Sequence, residues 1–225
     1  MKNAGAPGSR APDEKPARTN DPEQTRRDII AVATDEFADK GLSGARIDEI
    51  AARTRTSKRM IYYYFGSKEG LYIAVLEEAY RNIRNIERDI NVDHLSPDQA
   101  LRELVSFSFE RHQQNSAFVR LVMNENLHSG KYIAQSQNIP RLNVPAIDTI
   151  RRIVERGKKT GAFRQDIDPT DLHMSISALC FYSVSNRHTF ATIFKADMTT
   201  PKALAARKKS IIAMILAAVK PVRAR

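Results

Sequence analysis

The chain has 225 residues, of which 42% are hydrophobic and 28% are charged, a composition typical of globular proteins. Its longest purely apolar stretch, 211–219, is far shorter than the roughly 20 residues that cross a bilayer, and the residues after Met1 lack the pattern of a secretory signal. A single cysteine, Cys180, excludes an intrachain disulfide and a multi-cysteine metal site. We therefore expect a cytoplasmic protein without a membrane partner.

The net charge of +10 favours an acidic partner such as nucleic acid, but its distribution is uneven. Residues 1–80 carry 13 basic and 13 acidic side chains, so the whole excess lies downstream. Within 46–68, however, six basic residues accompany only two acidic ones, a local net charge of +4. This local patch is the better indicator of a nucleic-acid interface.

The first 20 residues are rich in Pro, Gly, Ala and charge, which predicts a disordered tail. Asp21 and Pro22 predict the start of the first helix, with Asp21 as N-cap and Gln24 as partner in a capping box, and Gly41 predicts its end. A short second helix follows at about 46–53, and the residues 54–56 separate it from Ser57, a good N-cap for a third helix. Two short helices around such a turn form a helix-turn-helix, so we predict a DNA-binding domain at 21–67.

Downstream, the apolar periodicity and cap residues predict only helices, and no segment alternates with a period of two. The predicted helices cover about 68–91, 97–114, 116–127, 140–159, 169–194 and 201–219, with a short turn at 131–137. The expected fold class is all-α with about nine helices: a three-helix N-terminal domain followed by a larger helical domain at 68–220.

The third helix has the properties of a recognition helix, whose apolar side stays on the protein while exposed residues reach base edges. Ile61 and Phe65, four residues apart, are expected to anchor it. Lys58, Arg59 and Tyr62 then face outward, and Arg and Lys are the common donors to guanine O6 and N7. Phosphate contacts are expected from the neighbouring polar and basic residues Arg46, Arg55, Ser57, Tyr63 and Lys68. For Tyr64 we favour packing over contact with DNA.

The run Ile50-Ala51-Ala52-Arg53, then Ser57, then 61–71 (IYYYFGSKEGL) resembles the N-terminal signature of the TetR (AcrR-type) repressors, over about residues 21–75. Three positions depart from the family pattern. Arg46 stands where the family usually has a capping threonine, 54–56 stand for Ala-Gly-Val, and Tyr64 replaces a histidine. Arg disfavours the left-handed turn position that Gly adopts freely, so the turn geometry and the base contacts are open.

The resemblance implies that the helices from about 97 onward form a ligand-binding core and that the last two pair with a second copy. Apolar residues spread broadly over 169–194 and 201–219 support burial on more than one side. A homodimer would set two recognition helices about 34–36 Å apart, or a multiple of it, on a pseudo-palindromic operator in double-stranded DNA. A ligand that changes this spacing would release the protein from its operator.

Candidate ligand residues are polar and aromatic side chains within apolar helices: Phe107, His112, Phe118, Asn124, Asn126, His128, Tyr182, Asn186, Arg187 and His188. The cluster 186–188 is the most suggestive, since an Arg binds a carboxylate with two hydrogen bonds. An aromatic or acidic metabolite is the expected effector, and the second half resembles repressors of aromatic-acid or nicotinate catabolism.

Two other interpretations stay open. The chain could be a DNA-binding dimer without small-molecule input, and a closed cavity with convergent polar groups would decide against that interpretation. It could also be a small-molecule enzyme, although it has no Gly-rich phosphate loop, nucleophile elbow or His-Glu-x-x-His. We predict no catalytic residue, no metal site and no cofactor.

Overall fold

The structure is a computed structural model, which describes residues 21–88 and 92–221, with the backbone alone at 85–88 and 143–146. The predicted tail at 1–20 and the predicted helix end at 89–91 lie outside these residues. Within them the chain forms ten α-helices, one 3-10 helix at Ile133–Gln135, and no strand. The helices are α1 (Pro22–Gly44), α2 (Ile47–Thr54), α3 (Lys58–Phe65), α4 (Lys68–Arg88), α5 (Pro97–Gln114), α6 (Ser116–Leu127), α7 (Asn138–Lys159), α8 (Pro169–Ser185), α9 (Arg187–Phe194) and α10 (Pro201–Val219).

Local cap signals fix most helix starts. The Asp21 carboxylate accepts the backbone N–H groups of Glu23 (3.0 Å) and Gln24 (3.1 Å), with Pro22 at the first helical position. The predicted capping box at Gln24 is wrong, because its side chain donates to Asp28 instead (2.7 Å). A reciprocal capping box forms at the start of α5, where Ser96 accepts from the Gln99 backbone and donates its own N–H to the Gln99 side chain.

The predicted helix at 169–194 is divided into α8 and α9, and this is why the described residues hold ten helices rather than about nine. The break lies at Asn186, whose backbone angles (φ −105°, ψ 7°) leave the helical region. Asn competes with helical hydrogen bonding through its own side chain, which here donates to the Ser185 hydroxyl (2.8 Å). The start of α7 also precedes the predicted Pro140 by two residues, which is tolerated because the first helical turn needs no proline N–H.

Two hydrophobic cores organise the molecule. The N-terminal core joins α1, α2, α3 and the first half of α4, and Leu121 of α6 and Ile139 reach into it. The C-terminal core joins α5, α7, α8 and α10. Helix α4 is shared, since Leu71 and Tyr72 lie in the first core and the helix also packs along α7. The boundary at 67/68 therefore stays a prediction. None of the described helices is long and apolar enough to span a membrane.

Candidate nucleic-acid interface and internal cavity

The turn between α2 and α3 closes without a glycine. Arg55 adopts left-handed backbone angles (φ 52°, ψ 35°), and its N–H bonds to the carbonyls of Ala51 and Ala52 at the end of α2. The Ser57 hydroxyl then accepts the backbone N–H of Met60 (3.2 Å) and caps α3, as expected from the sequence. Arg55 thus keeps the geometry that Gly gives this turn, at the cost of a conformation that L-residues disfavour.

Helix α3 is anchored by one apolar side. Ile61 is fully buried in the N-terminal core, and Tyr64 and Phe65 pack against that core. The Arg26 guanidinium of α1 lies over the Phe65 ring, 5.4 Å from its centroid. The opposite side carries exposed Lys58, Arg59, Tyr62 and Tyr63, and the Tyr63 side chain is 78% exposed.

The eight predicted DNA-binding residues all lie in or beside the α2–turn–α3 unit, and none is buried. Arg46 precedes α2 and makes no side-chain cap, which agrees with its departure from the family pattern. The Ser57 hydroxyl is engaged in the α3 cap, and the half-buried Lys68 ammonium donates to the Ser43 carbonyl at 3.5 Å. These residues are brought together on one unit, which the sequence could predict because they are close along the chain.

The role of one carboxylate within this unit, that of Asp48, was not identified from the sequence. Asp48 of α2 forms ion pairs with Lys58 at the start of α3 and with Arg46, whose guanidinium nitrogen lies 3.8 Å from the carboxylate. Arg53 similarly pairs with Asp35 of α1 at 3.1 Å. In contrast, Arg59 forms no ion pair with any residue that the structure describes. Part of the basic patch is therefore neutralised within the protein.

The start of α2 is held to α1 by a buried carboxylate. Glu36 accepts the backbone N–H of Arg46 (3.2 Å) and the Lys40 ammonium (2.9 Å). Burial would raise the pKa of Glu36, but these hydrogen bonds outweigh it and the pKa is lowered. Glu36 therefore stays ionised at neutral pH and fixes the backbone at Arg46, which lacks the usual threonine cap.

A second feature is a cavity of about 190 Å³ between five helices of the C-terminal half. Helices α4 to α8 each supply part of its wall: Tyr80, Ile83, Arg84, Leu104, Ser108, His112, Phe118, Val122, Thr149, Ile150, His173, Ile176, Ser177 and Phe181. The wall combines apolar and aromatic side chains with a few polar groups, as in small-molecule sites. The interior is therefore not fully packed.

The polar groups of the wall have defined roles. Arg84 is only 8% exposed and brings a permanent positive charge into the wall. His112 Nδ1 lies 2.7 Å from the Ser108 carbonyl oxygen, and because a carbonyl only accepts, Nδ1 carries the hydrogen. Burial raises the pKa of Tyr80, with Arg84 opposing and Glu125 reinforcing the shift, so the Tyr80 hydroxyl stays protonated at neutral pH.

Aromatic edges complete the wall. The Tyr80 and Phe118 rings meet edge to face with centroids 5.1 Å apart, and His112 and Phe181 do so at 6.2 Å. Two of the ten predicted ligand residues, His112 and Phe118, line the cavity. Tyr80, Arg84 and His173 were missed, because no local pattern marks a residue that only tertiary packing brings to the wall.

The other eight predicted ligand residues lie outside this wall. Five of them bond to nearby backbone or side chains: Asn124 to the Phe37 carbonyl, Asn126 to the Val122 carbonyl, His128 to the Asn124 carbonyl, Asn186 to Ser185, and Arg187 to Gln113 and the Val184 carbonyl. The cluster at 186–188 belongs to the break between α8 and α9. Phe107 is half-buried on α5, and Tyr182 and His188 are exposed.

Helix α6 contacts both the cavity and helix α1. Phe118 and Val122, four residues apart, line the cavity. Residues on another side of α6 contact α1: the Asn124 amide donates to the Phe37 carbonyl (3.4 Å), and Arg120 pairs with Asp39 (3.0 Å). Helix α6 is thus in direct contact with both the cavity and α1, the helix against which α2 packs.

Comparisons with known proteins cover both halves of the chain. Residues 29–75 match the family described as bacterial regulatory proteins, tetR family, and residues 97–215 match the tetracyclin repressor-like C-terminal domain. The chain is 38% identical over 188 residues to the HTH-type transcriptional repressor NicS of Pseudomonas putida, covering 84% of this chain and 89% of NicS. It is 30% identical over 168 residues to the HTH-type transcriptional repressor SCO4008 of Streptomyces coelicolor, covering 73% and 80%.

The fold agrees with these matches. A bacterial regulatory protein in the tetR family from Rhodococcus RHA1 superimposes with a TM-score of 0.67 over 88% of this chain and 98% of that one, at 22% sequence identity. The N-terminal match lies within α1 to α4, and the C-terminal match runs from the start of α5 into α10. The chain belongs to the TetR family of DNA-binding transcriptional regulators.

Proposed function

We propose that this regulator is a homodimeric repressor that binds a pseudo-palindromic operator and releases it when a small aromatic acid occupies the cavity. The observation that carries the proposal is that one helix, α6, contributes Phe118 to the cavity wall and bonds to α1 through Asn124. Two curated relatives, NicS and SCO4008, are named repressors, which supports repression over activation. Binding to the operator places its site of action in the cytoplasm.

The DNA contacts are assigned by exposure and chemistry. Arg59 and Tyr62 lie exposed on α3 and would reach base edges, whereas Lys68 at the start of α4 would contact phosphate. Arg59→Ala should relax the sequence preference, while Lys68→Ala should weaken binding to all duplexes about equally. Both are measured by fluorescence anisotropy on a duplex enriched from a randomised library by the wild-type protein. Uniform losses in both variants would contradict the division into base and phosphate contacts.

The dimer is assigned to exposed apolar residues on α8 and α10. Met174, Ala178 and Tyr182 recur every four residues on α8, and all three are exposed. On α10, Met214 is 42% exposed and stands beside the small residues Ser210, Ala213 and Ala217, which allow a second helix to approach closely. Such a stripe is typical of a helix that is buried on a further side in an assembly.

Met174→Glu and Met214→Glu should each shift the protein from dimer to monomer in light scattering after gel filtration, because a charge would be buried in the interface. Leu127→Glu is the matched control, since Leu127 is 80% exposed on α6. A dimer that survives both methionine substitutions would place the interface elsewhere.

The effector class follows from the size and chemistry of the cavity. A dry protein cavity of about 150 Å³ binds benzene, so about 190 Å³ suits a single ring with one small substituent. The aromatic wall favours a planar ring, and the buried Arg84 guanidinium favours a carboxylate. The Tyr80 hydroxyl and the histidines of the wall add further hydrogen-bonding groups.

A thermal-shift screen with benzoate and other monocyclic aromatic acids tests this assignment. A ligand at about 100 times its Kd adds roughly 2.7 kcal/mol to native-state stability, which corresponds to a rise of about 5 °C or more in Tm. The same compound should lower affinity for the enriched duplex. Arg84→Met should abolish both effects, whereas Arg151→Met, at an exposed position on α7, should retain them. If no acid binds, the chain is better described as a DNA-binding dimer without small-molecule input.

A further inference from the structure

The ion pairs within the helix-turn-helix have a consequence for how the protein discriminates between DNA sequences. Asp48 contacts two cations, Arg46 before α2 and Lys58 at the first position of α3. Both belong to the residues expected to contact DNA, and all three side chains are between 45% and 67% exposed. The carboxylate therefore lies within ion-pair distance of two groups that would otherwise bind DNA.

We propose that Asp48 is a specificity-determining residue, which holds Arg46 and Lys58 in the free protein and so weakens binding to DNA of arbitrary sequence. The inference rests on the proposed DNA interface. Any duplex offers phosphates, and contact with them requires these cations to leave Asp48 or to bring its negative charge close to the backbone. On an operator, base contacts such as those of Arg59 hold α3 in the groove, so binding depends less on the phosphate contacts of these cations and carries less of this loss.

The chain offers a contrast within the same helix turn. Glu49 is also acidic and exposed in the first turn of α2, where both carboxylates interact favourably with the helix dipole. Glu49, however, forms no ion pair with any described residue, whereas Asp48 bridges the two short helices. Asp48→Asn and Glu49→Gln thus remove the same charge from the same helix end, and only the first releases Arg46 and Lys58.

The experiment measures affinity for two 30-base-pair duplexes, one enriched by the wild-type protein and one of scrambled sequence, between 50 and 300 mM salt. Exposed ion pairs are individually weak, so Asp48→Asn should raise affinity for the scrambled duplex about two- to tenfold. The slope of log affinity against log salt should steepen by about 0.9 for each additional phosphate that the variant neutralises. Affinity for the enriched duplex should rise less, so the ratio of the two affinities falls. Glu49→Gln should change this ratio by less than twofold.

Three outcomes overturn the inference. Scrambled-sequence binding that is unchanged or weaker in Asp48→Asn shows that the ion pairs do not compete with phosphate. Equal effects of Asp48→Asn and Glu49→Gln show that net charge alone matters, and a selective loss on the enriched duplex shows that Asp48 reads a base. Arg59→Ala, measured in parallel, distinguishes failure of this inference from failure of the proposed interface. If Arg59→Ala also leaves the affinity for both duplexes unchanged, the proposed interface is wrong. If it relaxes the sequence preference, only the proposed role of Asp48 is wrong. Circular dichroism of each variant checks that the fold is retained.

Discussion

The buried carboxylate of Glu125 on α6 should be essential for the stability of the junction between the two halves. Glu125 is 1% exposed, and its Oε2 atom accepts the backbone N–H groups of Tyr132 (3.2 Å) and Ile133 (2.9 Å). Oε1 has no hydrogen-bond partner among the described residues. The negative charge of Glu125 contributes to the raised pKa of Tyr72. Glu125 thus holds the segment after α6 against the N-terminal core.

Substitution Glu125→Leu removes the acceptor and leaves two amides without a partner. Each unsatisfied buried donor costs about 1–3 kcal/mol, so we expect a loss of about 3 kcal/mol after partial compensation by the apolar side chain. For a chain of this size that corresponds to a fall of about 6–12 °C in Tm. Glu125→Gln keeps an oxygen for both amides and loses only the charge, so its Tm should fall by about 2–4 °C.

The assay is thermal unfolding by circular dichroism at one fixed protein concentration, because the stability of a dimer depends on concentration. Glu103→Gln, at an exposed position on α5, is the control and should stay within about 1 °C. A second readout is local: burial, and then the Glu125 charge, raise the pKa of Tyr72 above its usual value near 10. Glu125→Gln should therefore lower the pKa of Tyr72 in an alkaline absorbance titration. A Glu125→Leu protein as stable as the wild type would refute the argument, since the amides would then have other partners.

The remaining predictions concern single positions. Gly157→Ala should cost about 1–3 kcal/mol in urea unfolding, because an added Cβ would lie 2.1 Å from the buried Phe163 ring; an unchanged midpoint would mean that the ring moves aside freely. Arg55→Gly should raise the free energy of unfolding by about 0.5–1 kcal/mol, because Gly adopts the left-handed backbone angles of this position without strain. It should also weaken DNA binding, because the phosphate contact expected from Arg55 is lost. A loss of stability would contradict this assignment of strain. Burial raises the pKa of the Cys180 thiol to about 11, so its reaction with a disulfide reagent at pH 8 should be about a hundredfold slower than in urea-unfolded protein. Equal rates would place the thiol at the surface.

The pKa shift of Cys180 also predicts how stability depends on pH. The folded-state pKa is raised, so the native state keeps the proton over a range in which the unfolded chain releases it. The contribution is present below pH 9 and is lost as the pH rises toward about 11. Cys180→Ala should therefore flatten the decline of the unfolding midpoint between pH 9 and 11, compared with the wild type. An identical decline in both proteins would exclude this thiol as a source.

The first three helices could be predicted from the sequence because the interactions that determine them are local. Asp21 caps α1 and Ser57 caps α3 through hydrogen bonds that span two or three residues. Ile61 is buried as the helical period requires, and Lys58 and Arg59 remain exposed on the same short helix. Interactions over one helical turn involve residues that are close along the chain, so a sequence pattern suffices to predict where these helices begin and which side is buried.

The cavity and the ion pairs were decided only by tertiary structure. Tyr80, Arg84 and His173 line one cavity because α4 and α8 both pack against α7, and their separation of up to 93 positions leaves no local signal. Asn124 and His128, by contrast, satisfy backbone carbonyls, which polar residues in helices often do. Asp48 counts in the sequence as one acidic residue of a basic patch, and only the packing of α2 against α3 shows that it holds two of its cations. Local interactions therefore determined the α2–turn–α3 unit, and long-range packing determined which side chains line the cavity and which charges are paired.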